Sequence, residues 1–171
     1  MTRSVLVTGG NRGIGLAVAR AFAEAGDKVA ITYRSGQPPA GLFGVRCDVT
    51  DAAAVRSAFE EVQSQQGAVE VLVANAGITR DVLLLGMSER DFQDVVETNL
   101  IGSIRVAKQA AAAMAKARWG RMIFMASTVG FSGSPGQTNY AASKTALVGL
   151  ARSIAWELGS RKVTANIVAP G

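Results

Sequence analysis

The chain contains no histidine and a single cysteine. Without histidine, Ser-His-Asp and Cys-His catalysis are excluded and the usual zinc ligand is missing, so a proton donor must be Tyr, Lys, Asp, Glu or Cys. One cysteine excludes an internal disulfide. Cys47 falls in a strand-like run and reads as a small buried hydrophobe without a redox role. Aromatic residues make up only 6% and the basic residues are scattered, which leaves no stripe for a nucleic acid to follow. No apolar run approaches the ~20 residues that cross a bilayer. Met1-Thr2-Arg3 leads directly into a short apolar run with no cleavage site. These absences predict a cytoplasmic protein with neither a membrane nor a nucleic-acid partner. What is present is material for a core: 49% of 171 residues are hydrophobic, enough for one domain spanning residues 1–171. The net charge of +5, from 18 basic and 13 acidic residues, favours anionic partners.

Strand-like and helix-like runs alternate along the chain. The pattern predicts strands at Arg3–Thr8, Lys28–Tyr33, Gly44–Cys47, Val69–Ala74, Arg121–Ala126 and Val163–Val168. It predicts helices over about 13–25 and 52–66, a short one capped by Ser88, and two long ones over about 95–117 and 139–159. There is no repeat, low-complexity tract or linker. The fold expected is α/β, a Rossmann-type doubly wound parallel sheet of strand order 3-2-1-4-5-6. The sixth strand then forms an apolar sheet edge, an association hazard, and the chain reads as cut short.

Between the first strand and its helix stands Thr8-Gly9-Gly10-Asn11-Arg12-Gly13-Ile14-Gly15. Glycines there let the backbone approach a pyrophosphate, and a helix N-terminus presents free N–H groups to it. The spacing is Gly-x-x-x-Gly-x-Gly, and the plainer reading is a tight turn. An NAD site would place an acid at the end of the second strand to hold the ribose hydroxyls. Here the residues are Thr32-Tyr33-Arg34-Ser35. Arg34 offers a fork for a 2′-phosphate, with Arg12 nearby in the glycine turn, so NADPH/NADP+ is the expected cofactor. Asp48-Val49 follows the third strand. Asp48 suits either the adenine amino group, with Val49 on the ring, or the helix cap around Thr50-Asp51. Asn75-Ala76-Gly77 follows the fourth strand, where small residues let a ligand lie against the backbone.

Tyr140-Ala-Ala-Ser-Lys144 places a phenol and an ammonium one helical turn apart on one face. Reducing a ketone requires a hydride and a proton. A nearby ammonium stabilises phenolate and helps a tyrosine give up its proton. Ser127, after the fifth strand, suits a hydrogen bond to the substrate carbonyl. Each has a plainer reading: an exposed helix pair, a strand end, and for Asn99 a buried amide bonded to backbone.

Thr8–Gly15, Asn75-Ala76-Gly77, Asn99, Ser127, Tyr140-x-x-x-Lys144 and Pro170-Gly171 together resemble the short-chain dehydrogenase/reductase family over the whole chain. Gly9–Gly15, Gly41–Asp51 and Gly120–Phe124 are similar to the actinobacterial type of 3-oxoacyl-[acyl-carrier-protein] reductase. The resemblance implies that Asn99, Ser127, Tyr140 and Lys144 are catalytic. Lys144 would also hold the nicotinamide ribose, and Asn99 a water linking Lys144 to solvent. It implies cofactor binding by Gly9, Asn11, Arg12, Gly13, Ile14, Arg34, Asp48, Val49, Asn75, Ala76, Gly77, Tyr140, Lys144, Pro170 and Gly171. Arg118 and Arg161 resemble the family's docking arginines for an acidic acyl-carrier protein, although cations at two helix C-termini fit them equally. A homo-oligomer is implied: a dimer through the two long helices, with Ala110–Ala113 as a smooth face, and a tetramer at full length. Relatives continue past Gly171 into a substrate lid and a seventh strand.

The expected function is NADPH-dependent reduction of a 3-oxoacyl-carrier thioester to the 3-hydroxyacyl product in fatty acid biosynthesis. The alternatives are reduction of another ketone, and a non-catalytic NADPH-binding protein, which would have no need of aligned Ser127, Tyr140 and Lys144.

Overall fold

The computed structural model describes residues 2–171. Six parallel strands form one sheet: β1 (Ser4–Thr8), β2 (Lys28–Tyr33), β3 (Phe43–Arg46), β4 (Val71–Ala74), β5 (Gly120–Met125) and β6 (Val163–Val168). Their order is β3-β2-β1-β4-β5-β6, the order expected. The helices are α1 (Gly13–Glu24), α2 (Ala52–Gln66), α3 (Glu89–Val96), α4 (Gly102–Ala117), a one-turn α5 (Val129–Ser132) and α6 (Thr138–Leu158).

Strand alternation builds two cores. Val5, Val7, Ile31, Val71 and Val73 face α1, with Ala19 packed among them. Leu6, Leu72, Met122 and Phe124 face the other way, onto Val106, Met114 and Leu147 of the long helices. Burial on both faces is why β1 and β4 are continuous apolar runs. Cys47 is buried just past β3, and burial pushes its thiol up to about 11, which fits an inert hydrophobe. β6 ends the sheet, with Thr164, Asn166 and Val168 exposed.

One expectation needs correction. The Ser88-capped helix and the long helix are a single helical run, because Glu97–Ile101 joins α3 to α4 as a π-turn. Ser88 starts it with a capping box to Asp91. The π-turn carries Asn99, fully buried. β4 is shorter than the predicted Val69–Ala74, although Glu70 still bonds to the start of β1. Its N–H donates to the Ser4 carbonyl at 2.9 Å, and its side chain accepts from Ser4 N–H at 2.8 Å. β3 and β5 each begin and end one residue earlier than expected.

Candidate active site

Parallel strands put all their carboxyl ends at one edge, and the strand order reverses between β1 and β4, which opens a crevice there. Thr8 fixes its depth. The Thr8 hydroxyl accepts from the N–H groups of Asn75 and Ala76, both at 3.0 Å, so the loop after β4 is tied to the end of β1. Asn75 returns the tie by donating to the carbonyls of Thr8 and Gly9.

A groove of about 560 Å³ runs from this point over the glycine turn to the ends of β2 and β3. It is lined by Gly9, Asn11, Arg12, Gly13, Ile14, Arg34, Asp48, Val49, Asn75, Ala76 and Gly77, all predicted for it. Arg12 makes no side-chain cap at the start of α1, which leaves the first-turn N–H groups open to an anion. A Cβ on Gly15 would stand 2.4 Å from the Gly9 carbonyl oxygen, so only glycine closes this turn. Thr32 also lines the groove. Among the described residues its hydroxyl is the one buried side-chain oxygen or nitrogen without a hydrogen bond. Asn11 donates to the Ser35 carbonyl at 3.1 Å and braces the rim beside Arg34. The Arg34 guanidinium is mostly exposed, 4.0 Å from one oxygen of Asp48. The other Asp48 oxygen accepts from Thr50 N–H and hydroxyl at 2.9 and 2.7 Å, while Asp51 caps α2. Asp48 therefore shapes the turn and still faces the groove.

A second cavity of about 500 Å³ adjoins the first, sharing Arg12, Ile14, Arg34, Asn75, Gly77 and Ile78. Tyr140, Lys144 and Pro170 line it. Lys144 is buried. Its ammonium donates to the Met125 carbonyl at 2.6 Å and lies 5.6 Å from the centre of the Tyr140 ring. Desolvation brings its pKa down to about 8. Gly77 leaves the gap above this lysine, since a Cβ there would sit 3.0 Å from Asn99 Oδ1 and 3.5 Å from Lys144 Nζ. Gly171 lies against Thr128, and Thr128 N–H donates to the Pro170 carbonyl at 3.0 Å, holding this end of the chain at the cavity.

Two predicted groups are turned elsewhere. The cavity wall stops at Ala126, and the Ser127 hydroxyl accepts from Val129 N–H at 3.3 Å. The Asn99 amide is bonded to protein, as its plainer reading has it. It accepts from Ile78 N–H at 2.8 Å and donates to the Ile78 carbonyl and the Ser143 hydroxyl, both at 3.0 Å. Ser143 in turn donates to the Tyr140 carbonyl at 2.8 Å. Arg118 and Arg161 precede β5 and β6, so they lie at the amino edge of the sheet. That is a strand's length, roughly 20 Å, from the cavity in the same chain. Arg118 donates to the Ser160 carbonyl at 3.0 Å and ties the ends of the two long helices together.

The sequence reading missed Thr8, Thr79, Arg80, Asn139 and Ser143. Thr79 and Arg80 line the second cavity. Ser143 carried a signal, standing beside Lys144 and three residues from Tyr140. Thr8 stood in the glycine motif without a role of its own, its partners distant in sequence like those of Asn139, and Thr79, Arg80 and Asn139 stand in no motif.

Among the described residues, no group of His, Cys, Asp and Glu has the arrangement of a metal site, and no helix is long and apolar enough to cross a membrane. A family model described as short chain dehydrogenase matches residues 3–171. The whole chain is 55% identical to the 3-oxoacyl-[acyl-carrier-protein] reductase MabA of Mycobacterium tuberculosis and spans 69% of that protein. It is equally similar to MabA of Mycobacterium avium, spanning 67% of it. It is 43% identical over 183 aligned positions to the 3-oxoacyl-[acyl-carrier-protein] reductase FabG of Staphylococcus aureus, spanning 74% of it. With the sheet order, the glycine turn and the paired tyrosine and lysine, these matches make the chain a member of the short-chain dehydrogenase/reductase family of oxidoreductases.

Proposed function

We propose that the chain reduces 3-oxoacyl thioesters carried on an acyl-carrier protein, with NADPH as reductant. The observation that carries this reading is the buried Lys144 ammonium beside Tyr140, in a cavity that opens onto the glycine-turn groove. The open N–H groups of α1 would hold the pyrophosphate, and Arg34 with Arg12 the 2′-phosphate. Held there, NADPH would supply the hydride that reduction of the ketone requires. Tyr140 gives the proton from its hydroxyl to the developing alkoxide oxygen. Lys144 favours the phenolate that remains. Ser127 would have to turn its hydroxyl away from Val129 to serve the same oxygen. Asn99 keeps the loop at Ile78 in place.

The deciding experiment is reduction of acetoacetyl-CoA by the chain, with NADPH and NADH compared. NADPH is expected to be clearly preferred, and Tyr140→Phe to lower kcat by about 100-fold or more. Near-normal turnover by Tyr140→Phe rejects the proton-donor role, and equal use of the two reductants rejects the assignment of Arg34. The arginines at the amino edge suit an acidic carrier protein, and they would serve the site only from a second copy.

A further inference from the structure

We propose that Asn139 is a positioning residue: its buried amide fixes where Tyr140 stands relative to the loop that forms the facing wall of the cavity. Asn139 is fully buried in the first turn of α6. An N-terminal helical turn has N–H groups with no partner inside the helix. That of Tyr140 donates to Asn139 Oδ1 at 2.7 Å. The two N–H groups of the same amide point the other way. Nδ2 donates to the Arg80 carbonyl at 3.0 Å and to the Asp91 carbonyl at 3.3 Å. One side chain therefore joins the backbone of the proton donor, the backbone of a cavity-lining residue and the first turn of α3.

The surroundings make Asn139 the inner member of a latch. Val82 N–H donates to the Gly136 carbonyl at 2.9 Å, and the Gln137 amide donates to Asp81 at 3.2 Å. Both of those residues sit near the surface, where water can replace their bonds. Asn139 has no such substitute. An alanine would leave the part-buried Arg80 carbonyl and Tyr140 N–H without their side-chain partner. An ionised aspartate keeps the shape and the acceptor for Tyr140 N–H, but it turns an oxygen toward the Arg80 and Asp91 carbonyls. In either case the loop and the helix start lose their common reference, and a shift of about 1 Å at a reacting centre costs up to roughly 100-fold in rate. The groove for the dinucleotide lies on the other side of Gly77 and takes no contact from Asn139.

The inference rests on Tyr140 as the proton donor, and the test separates the two. Asn139→Ala and Asn139→Asp are compared with the unaltered chain for kcat and KM with acetoacetyl-CoA, for NADPH affinity by fluorescence titration, and for melting temperature. Each variant is expected to lower kcat roughly 30-fold or more. NADPH affinity should stay within about threefold. Where Asn139→Ala does not fold, the isosteric Asn139→Asp is the variant read. A kcat within about threefold of the unaltered chain, with only the melting temperature lowered, makes Asn139 merely structural and overturns the inference. A parallel loss of NADPH affinity overturns it too. Normal turnover by Tyr140→Phe defeats the reading of the site itself, whatever Asn139 does.

Discussion

The glycine turn between β1 and α1 keeps its shape through backbone and missing side chains, whereas the wall made by α6 and the 75–82 loop keeps its shape through buried side-chain hydrogen bonds. On the first side the decisive contact is one that a Cβ would destroy, at Gly15 against the Gly9 carbonyl. On the second side Asn99, Ser143 and Asn139 tie helix, loop and π-turn together, and Lys144 is held on a strand-end carbonyl. Under the function proposed above, the difference follows from the task. A dinucleotide is bound along its length by repeated N–H groups, so a rigid backbone surface suffices. A proton donor must stand at one place, and only specific side chains can set that place.

The sharpest way to break the comparison is at Lys144, where function and stability oppose each other. Burial brings its folded pKa from 10.5 to about 8. Between these values the unfolded chain binds the extra proton, so this group's contribution to stability improves as pH rises from about 8 to 10.5. Below about 8 the cost of the buried charge is fully present, on the order of 3 kcal/mol. Lys144→Met is therefore expected to raise the melting temperature at neutral pH while lowering kcat by roughly 100-fold or more. In the unaltered chain kcat/KM for reduction should fall as pH rises through about 8, because the ammonium is lost there. A variant that loses activity and stability together would show that the lysine is an anchor and not a strained catalytic group. An alkaline limb unchanged by Lys144→Met would assign that limb to another residue.

On the backbone-built side the expected effects are smaller and fall on affinity. Gly15→Ala drives a Cβ to 2.4 Å from a backbone oxygen, so the turn must open. Gly13→Ala meets nothing within 4 Å and suffers only from its φ of +56°. NADPH affinity is expected to fall about tenfold or more in Gly15→Ala. In Gly13→Ala it should stay within roughly threefold, at a stability cost of about 1 kcal/mol. Fluorescence titration and thermal melts of the pair read both quantities. Equal losses in the two variants would mean that the close approach at Gly15 does not shape the groove.

The same division explains what could be read in advance. The sheet order follows from alternating apolar runs and right-handed crossovers, and the glycine turn from its place between a strand and a helix. Tyr140 and Lys144 were visible because a helix fixes the relation of residues four apart. Asn139 and Thr8 were not, because their partners lie 59 and 67 residues away in the chain and any short polar residue looks ordinary at such places. The π-turn was missed for a related reason. It carries Asn99, whose partner Ile78 lies 21 residues away, and helical periodicity does not register it. Ser127 follows β5 in the chain, and its hydroxyl is bonded in the local turn with Val129.

Arg118 and Arg161 extend the comparison to the two edges of the sheet, and here the smallest effect is expected. Within one chain they stand at the amino edge, away from Tyr140. The helix α4 runs against the strands, from the carboxyl edge at Gly102 to the amino edge at Ala117. A two-fold axis perpendicular to this helix would pair it antiparallel with its counterpart in a second copy, and would bring the amino edge of one copy toward the carboxyl edge of the other. Carrier docking on Arg118 and Arg161 would then serve the neighbour's cavity. Reversing both charges to Glu should raise KM for a carrier-bound 3-oxoacyl substrate about threefold to tenfold at low salt, and leave acetoacetyl-CoA unaffected. The effect should vanish on dilution to the monomer. Equal changes with both substrates, or a persistent change in the monomer, would reduce the two arginines to the job that Arg118 already does at Ser160, closing the ends of two helices.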